Sequence, residues 1–178
     1  MKRSSQARHD NATVEHHLPS VLVPILYLDT SVVGGYYDDE WKDATRELWA
    51  QRDAGHWRFA TSVITFDEIT QAPAEVSGLF QRTFTDPADM LMVTDEMEDL
   101  AAEYLAAKVV SPKFTDDARH VAVVSVLRLP HLVSWNFKHL VNVQREAGFN
   151  AVNLLQGYPP VRIVTPLQLI YGRATENL

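Results

Sequence analysis

The chain has 178 residues, 46% hydrophobic and 22% charged, with 7 Gly and 9 Pro, which is the composition of an ordinary globular protein with one domain. It contains no cysteine, so disulfide frameworks, thiolate zinc and iron–sulfur sites and a cysteine nucleophile are excluded, and any metal must be held by oxygen or imidazole. The formal net charge of −7 is uneven: residues 1–20 carry 3 Lys/Arg against 2 acids, 21–112 carry 6 against 17, and 113–178 carry 7 against 4. That balance argues against broad non-specific nucleic-acid binding, yet allows a basic rim in the last third beside an acidic site.

Residues 1–20 lack apolar periodicity and read as a disordered arm, with the packed domain expected over 21–173 and a short tail at 174–178. The arm lacks the apolar stretch of a signal peptide, and no later run approaches the roughly 18 apolar residues of a bilayer span, so a cytoplasmic protein without membrane association is expected. The run VLVPILYLD predicts a buried strand at about 24–29 whose carboxyl end delivers Asp29, Thr30 and Ser31. Trp41, Ala44, Leu48 and Trp49 then recur at helical spacing, and Gly55 supplies a stop. WRFATS reads as a second strand. Ser62 is placed to cap a helix through VITFDEITQA, which must end before Pro73.

A helical stretch at about 74–84 follows, then DMLMVT as a third strand and EMEDLAAEYLAAKVV as an amphipathic helix broken by Ser111 and Pro112. Thr115 is expected to cap DDARHVAVVSVLRL, which is apolar along nearly its whole length, as suits a helix packed deeply against a sheet. HLVSWN is the fourth strand, a helix is expected at about 138–147 with Gly148 as its stop, and VRIVT is the fifth strand. Thr165-Pro166-Leu167-Gln168 fits a capping box that opens a final short helix. Strands alternating with helices predict an α/β fold, a three-layer α/β/α sandwich with a central parallel sheet of about five strands.

In an open parallel sheet, active groups gather outside the carboxyl ends of the strands. Four residues are placed for that position: Asp29, Glu68, Asp117 and Asn136. Taken singly, each has an ordinary structural explanation as a cap, a solvated face or a complement to a helix dipole. Converging carboxylates, however, repel each other unless a hard cation such as Mg²⁺ or Mn²⁺ neutralises them. Such a cation binds phosphate and acidifies water for in-line attack on phosphorus, which is nuclease chemistry. The chain has no GxxxxGK[ST] phosphate loop, no GxSxG elbow and no HExxH helix, and Asp29-Thr30-Ser31 lacks the second aspartate of a phosphoaspartyl phosphatase.

ILYLDTSVV at 25–33, TSVITFDEI at 61–69, DDARHVAVV at 116–124 and LVSWNFKHL at 132–140 resemble, in order and spacing, the motifs of the PIN-domain family, and the match extends to GYPPVRIVTPLQL at 157–169. The resemblance implies a PIN-like α/β/α fold, a Mg²⁺- or Mn²⁺-dependent endoribonuclease acting on RNA, and the toxin of a toxin–antitoxin pair with a cognate antitoxin partner and a homodimeric state. By motif, it assigns Asp29, Glu68 and Asp117 to the metal and Thr30 and Ser31 to the polar pair beside it. Asn136 stands where many members have a fourth acid, in a Ser-Trp-Asn form like that of one subgroup. With one charge fewer, a second metal would bind more weakly.

Spacing alone does not separate Glu68 from Asp67 or Asp117 from Asp116; the family motif selects Glu68 and Asp117. His120 is expected to be buried and hydrogen-bonded, and Trp135 to belong to the core. Lys138 and His139 are candidate substrate-binding residues because they follow Asn136 closely, with Lys113, Arg119 and Arg145 completing a basic rim for phosphates. The favoured reading is hydrolysis of RNA to a 5′-phosphate and a 3′-hydroxyl. The alternatives are a catalytically weak PIN-like scaffold serving as an interaction or RNA-binding module, and a hydrolase of small phosphate esters.

Overall fold

In the computed structural model, which describes residues 22–171, the apolar run after Pro24 forms strand β1 (Ile25–Leu28). The arm at 1–20 and the tail at 174–178 lie outside the described residues. Leu26 and Leu28 enter one buried cluster and Tyr27 enters another, so the two-residue period of the strand sends alternate side chains into cores on both faces. Strands β2 (Arg58–Ser62), β3 (Met90–Leu91), β4 (His131–Val133) and β5 (Arg162–Val164) complete a five-stranded sheet in which every pairing is parallel, in the order β3-β2-β1-β4-β5. The chain builds outward from β1 through β2 to β3 and then crosses back to place β4 on the other side of β1.

Helices cover both faces. Against Leu26, Leu28 and Val133 lie α1 (Thr30–Gly35), α2 (Lys42–Asp53), α4 (Ala74–Thr83) and α8 (Pro166–Tyr171). Against Tyr27, Leu132 and Ile163 lie α5 (Asp95–Ala106), α6 (Thr115–Val126) and α7 (Val143–Gln156). Helix α3 (Val63–Ile69) follows β2 directly and contributes Ile64 to one cluster and Ile69 to the other. This is the expected three-layer sandwich with a parallel five-stranded sheet.

Several boundaries differ from expectation. Asp29 lies outside β1 and caps α1, a short helix the sequence did not announce, by accepting from the Val32 amide. Thr115 is the first residue of α6 rather than its cap; its hydroxyl donates to the Pro112 carbonyl. The helix expected at 138–147 begins at Val143 instead, because Asn142 caps it by accepting from the amides of Gln144 and Arg145. Gly148 does not stop that helix. It sits inside α7 where a Cβ would lie 3.0 Å from Val109, and Gly157, at φ +83°, makes the left-handed end. The capping box at α8 forms as expected, with Gln168 Oε1 accepting from the Thr165 amide at 2.8 Å.

Candidate active site

The strand order reverses between β1 and β4, and in a parallel sheet the crevice at that reversal lies outside the strand carboxyl ends. Asp29 follows β1 and Asn136 lies just beyond β4, so both belong to this crevice. Glu68 reaches it from α3 and Asp117 from the first turn of α6. Together with Thr30, Ser31 and His120, these residues line a cavity of about 340 Å³. Larger cavities lie elsewhere, and one of them is also lined by three acids, Glu96, Asp99 and Glu103; what distinguishes this one is its place at the β1–β4 reversal, with the buried Asp29 and His120 among its lining and no Lys or Arg. Asp67 and Asp116 are exposed and outside the lining.

Asp29 is the fixed member, 4% exposed. Its Oδ1 accepts from the Ser31 hydroxyl at 2.6 Å and from the Val32 amide at 3.3 Å, and its Oδ2 accepts from the Ser134 hydroxyl at 2.6 Å. Burial raises its pKa above the ordinary carboxylate value, against the pull of His120 and of these donors. Glu68 is the more open member, with 36% of its side chain exposed. Burial works to raise its pKa, but the donors His120 and Thr30, with the charges of His120 and Arg119, outweigh it, and the net shift is downward. Asp117 is pushed up to about 6, first by burial and then by the charges of Asp29 and Glu68, while His120 and the Asn136 amide oppose the rise.

Asn136 does not present its carbonyl to the cavity. Its Oδ1 accepts from the His139 backbone amide at 3.1 Å, which can only donate, so the opposite end must be Nδ2, and this donates to Asp117 Oδ1 at 3.0 Å. Ser31 similarly accepts from the Trp135 amide at 2.8 Å while donating to Asp29, and Thr30 donates to Glu68. Both hydroxyls therefore position carboxylates. His120, 3% exposed, places Nδ1 2.7 Å from the Tyr27 hydroxyl and Nε2 3.5 Å from Glu68. Tyr27 in turn meets Ser62 at 2.6 Å, and its burial pushes its pKa up, so it stays protonated. The two ring nitrogens of His120 thus face Tyr27 on one side and Glu68 on the other.

Lys138 and His139 are not brought into the cavity. The His139 ring is buried against Phe114, with centroids 3.6 Å apart, and Lys138 faces a neighbouring groove. Arg119 is occupied by Glu98 at 2.7 Å and Asp116 at 3.0 Å. Trp135 is buried and donates to Thr45 at 3.0 Å, as core. Sequence reasoning missed Ser134 and Tyr27. The signal for Ser134 was its position two residues before Asn136, which places both on the same side of an extended segment.

The donor set, oxygen with one imidazole, is of the kind a hard cation accepts, and like charges held together give such an ion an electrostatic reason to bind. Among the described residues, no three His, Asp or Glu side chains are already closed around a common point; each carboxylate is engaged by a hydroxyl or amide donor instead.

No family model and no curated protein matches the sequence. Among solved structures, the chain is similar to FitAcB from Neisseria gonorrhoeae, at 14% identity and a TM-score of 0.51 over 80% of this chain and 98% of that one. It is similar to FitAB bound to the IR36 DNA fragment, at 13% identity and a TM-score of 0.50, over 79% and 94% of the two chains. It is also similar to VapBC2 from Rickettsia felis bound to a DNA fragment from their promoter, at 14% identity and a TM-score of 0.50, over 79% and 98%. At these identities the likeness is one of fold, and it supports the PIN-like α/β/α architecture that the sequence motifs implied. No helix among the described residues is long and apolar enough to cross a membrane.

Proposed function

We propose that this chain is a PIN-domain ribonuclease that hydrolyses RNA phosphodiester bonds with Mg²⁺ or Mn²⁺ held by Asp29, Glu68 and Asp117. The observation that carries the proposal is the convergence of these three carboxylates at the switch point of the sheet, without a Lys or Arg in the lining and with Asp117 pushed up to about 6. When bound, the cation supplies Lewis acidity toward the phosphodiester and acidifies water. The protein supplies the rest. Asp29 is held in place by two hydroxyls and the start of α1, and would be the anchoring ligand. Glu68, to which Thr30 donates, would be a second ligand, its carboxylate oriented by His120 Nε2 at 3.5 Å. Asp117, aimed by the Asn136 amide, would be the third ligand in its ionised form. Water adds to phosphorus, the bond to the 3′ oxygen breaks, and the products are a 5′-phosphate and a 3′-hydroxyl.

The similar FitAB and VapBC2 structures support a second element of the proposal, a toxin whose partner is a cognate antitoxin; a homodimeric state and a cytoplasmic location are part of the same reading. Purified protein freed of any partner is expected to cut single-stranded RNA with Mn²⁺ or Mg²⁺ and to stop on chelation. Asp29→Asn and Asp117→Asn should each lower the rate by about 100-fold or more, the scale of losing a central electrostatic group. Folded wild-type protein that leaves RNA intact under all these conditions overturns the nuclease reading and favours the RNA-binding module.

A further inference from the structure

The last third of the chain carries the excess of cations, and the fold gathers several of them in one place. A groove of about 470 Å³ between the end of α5 and the start of α7 is lined by Lys108, Lys138, Arg145 and the cap residue Asn142, and no acid lines it. Lys108 reaches it from a left-handed backbone position, φ 56°, just past the end of α5. Arg145 is fastened by a hydrogen bond to the Val109 carbonyl. Lys113 lies close by, with its ammonium 5.7 Å from the Phe114 ring on which His139 stacks, and Lys113, Lys138 and Arg145 all act on that histidine. Lys42, Arg52, Arg58 and Arg119 are paired with acids; among the described residues no ion pair involves Lys108, Lys113, Lys138 or Arg145, nor Arg46, Arg82, Arg128 or Arg162, but of these eight it is Lys108, Lys138 and Arg145 that line one groove. In a protein of net charge −7, a groove lined by cations without an acid is a site for anions.

The groove adjoins the carboxylate cavity. Asn136 lines one and Lys138 the other, and two residues of chain span at most about 7 Å. Resting on the ribonuclease reading, we propose that this groove binds backbone phosphates of the RNA strand flanking the scissile bond, with Lys108, Lys113 and Lys138 as the contacts and Arg145 as the residue that fixes its wall. The division of labour follows from charge. The acidic cavity repels phosphate until a cation enters, so the affinity for the strand must come from outside it, and the nearest unpaired positive surface is this groove.

The test is binding of a labelled single-stranded RNA by fluorescence anisotropy across a range of salt, in an Asp29→Asn background that does not cut. Lys108→Gln, Lys113→Gln and Lys138→Gln are combined, and Arg82→Gln on α4, across the sheet, serves as the control. The combined variant should bind about tenfold more weakly or worse, and its slope of log affinity against log salt should shrink by about 2, or roughly 0.7 for each phosphate no longer neutralised on a single strand. Arg82→Gln should match the parent, and circular dichroism melting should show all three folded. Equal affinity and slope in parent and combined variant, or no RNA binding by either, overturns the groove. Cleavage by the wild type, measured alongside, separates the two readings: a salt-dependent difference in binding without cleavage leaves the groove standing and removes the nuclease, whereas cleavage with no difference in binding does the reverse.

Discussion

Asp117 makes the site sensitive to pH in a direction that can be worked out. Folded, it keeps its proton up to about pH 6, whereas unfolded it releases it near the ordinary 3.8. Between those values unfolding releases a proton, so its contribution to stability is full below about 3.8 and is lost as pH rises through about 6. Asp29 is raised in the same sense, while the lowered Glu68 acts in the opposite sense and only below its ordinary 4.5. Without divalent ions, the melting temperature of the wild type should therefore fall relative to Asp117→Asn between about pH 4.5 and 7; a constant difference contradicts the assignment. Asn136→Asp replaces the Nδ2 donor 3.0 Å from Asp117 with a fourth carboxylate. It should lower the melting temperature of the ion-free protein at pH 7 and raise Mn²⁺ affinity, and an unchanged melting temperature would show that the asparagine does not hold Asp117. Asp29, Asp117 and Asn136 could be placed near the crevice from the sequence because they stand after strands or at a helix start, whereas Glu68, next to the last residue of α3, was chosen over Asp67 by the family motif alone. Of the hydroxyls around them, Thr30 and Ser31 were named from the motif, but Ser134 and Tyr27 were not, since Ser134 meets Asp29 across 105 residues and Tyr27 meets His120 across 93, pairings that the tertiary fold creates.

The elements show the same division between local and distant causes. Helices α5 and α8 could be located from the sequence because their signals are local, the amphipathic run EMEDLAAEYLAAKVV and the Thr165–Gln168 box; Thr94, read as the end of the third strand, is instead the cap of α5. The extent of α7 was missed because Gly148 was read as a stop, whereas its role is set by tertiary packing. Gly148 serves the close approach of Val109, whereas Gly157 carries the left-handed turn. Gly35 is a stronger case of close approach. A Cβ there would lie 2.7 Å from both Cδ1 and Nε1 of Trp135 and 3.1 Å from Thr45 Oγ1. Gly35→Ala should drive Trp135 off its hydrogen bond to Thr45 and cost about 1–3 kcal/mol by chemical denaturation. A loss below about 0.5 kcal/mol would mean that α1 and α2 can separate without disturbing the segment that carries Asn136.

At the scale of the molecule, function follows from the strand order. A parallel sheet built outward to β3 and then resumed on the far side of β1 opens a crevice between the ends of β1 and β4. The fold places Asp29, Glu68 and Asp117 in that crevice and gathers unpaired cations in the groove beside it. The alternation of strands and helices announced the layers and the parallel pairing, but not the strand order, which depends on crossovers that leave no periodic mark. Everything proposed for the site requires that the crevice bind a divalent ion through its three carboxylates, and isothermal titration of Mn²⁺ at about pH 7.5 into the wild type and into Asp29→Asn decides whether it does. Wild type should bind saturably, with affinity weakened about 100-fold or beyond detection in a variant that melts at the same temperature or higher, since it no longer buries a charge. Equal Mn²⁺ affinity in both proteins, or no binding by folded wild type, would contradict the assignment of these carboxylates to a metal.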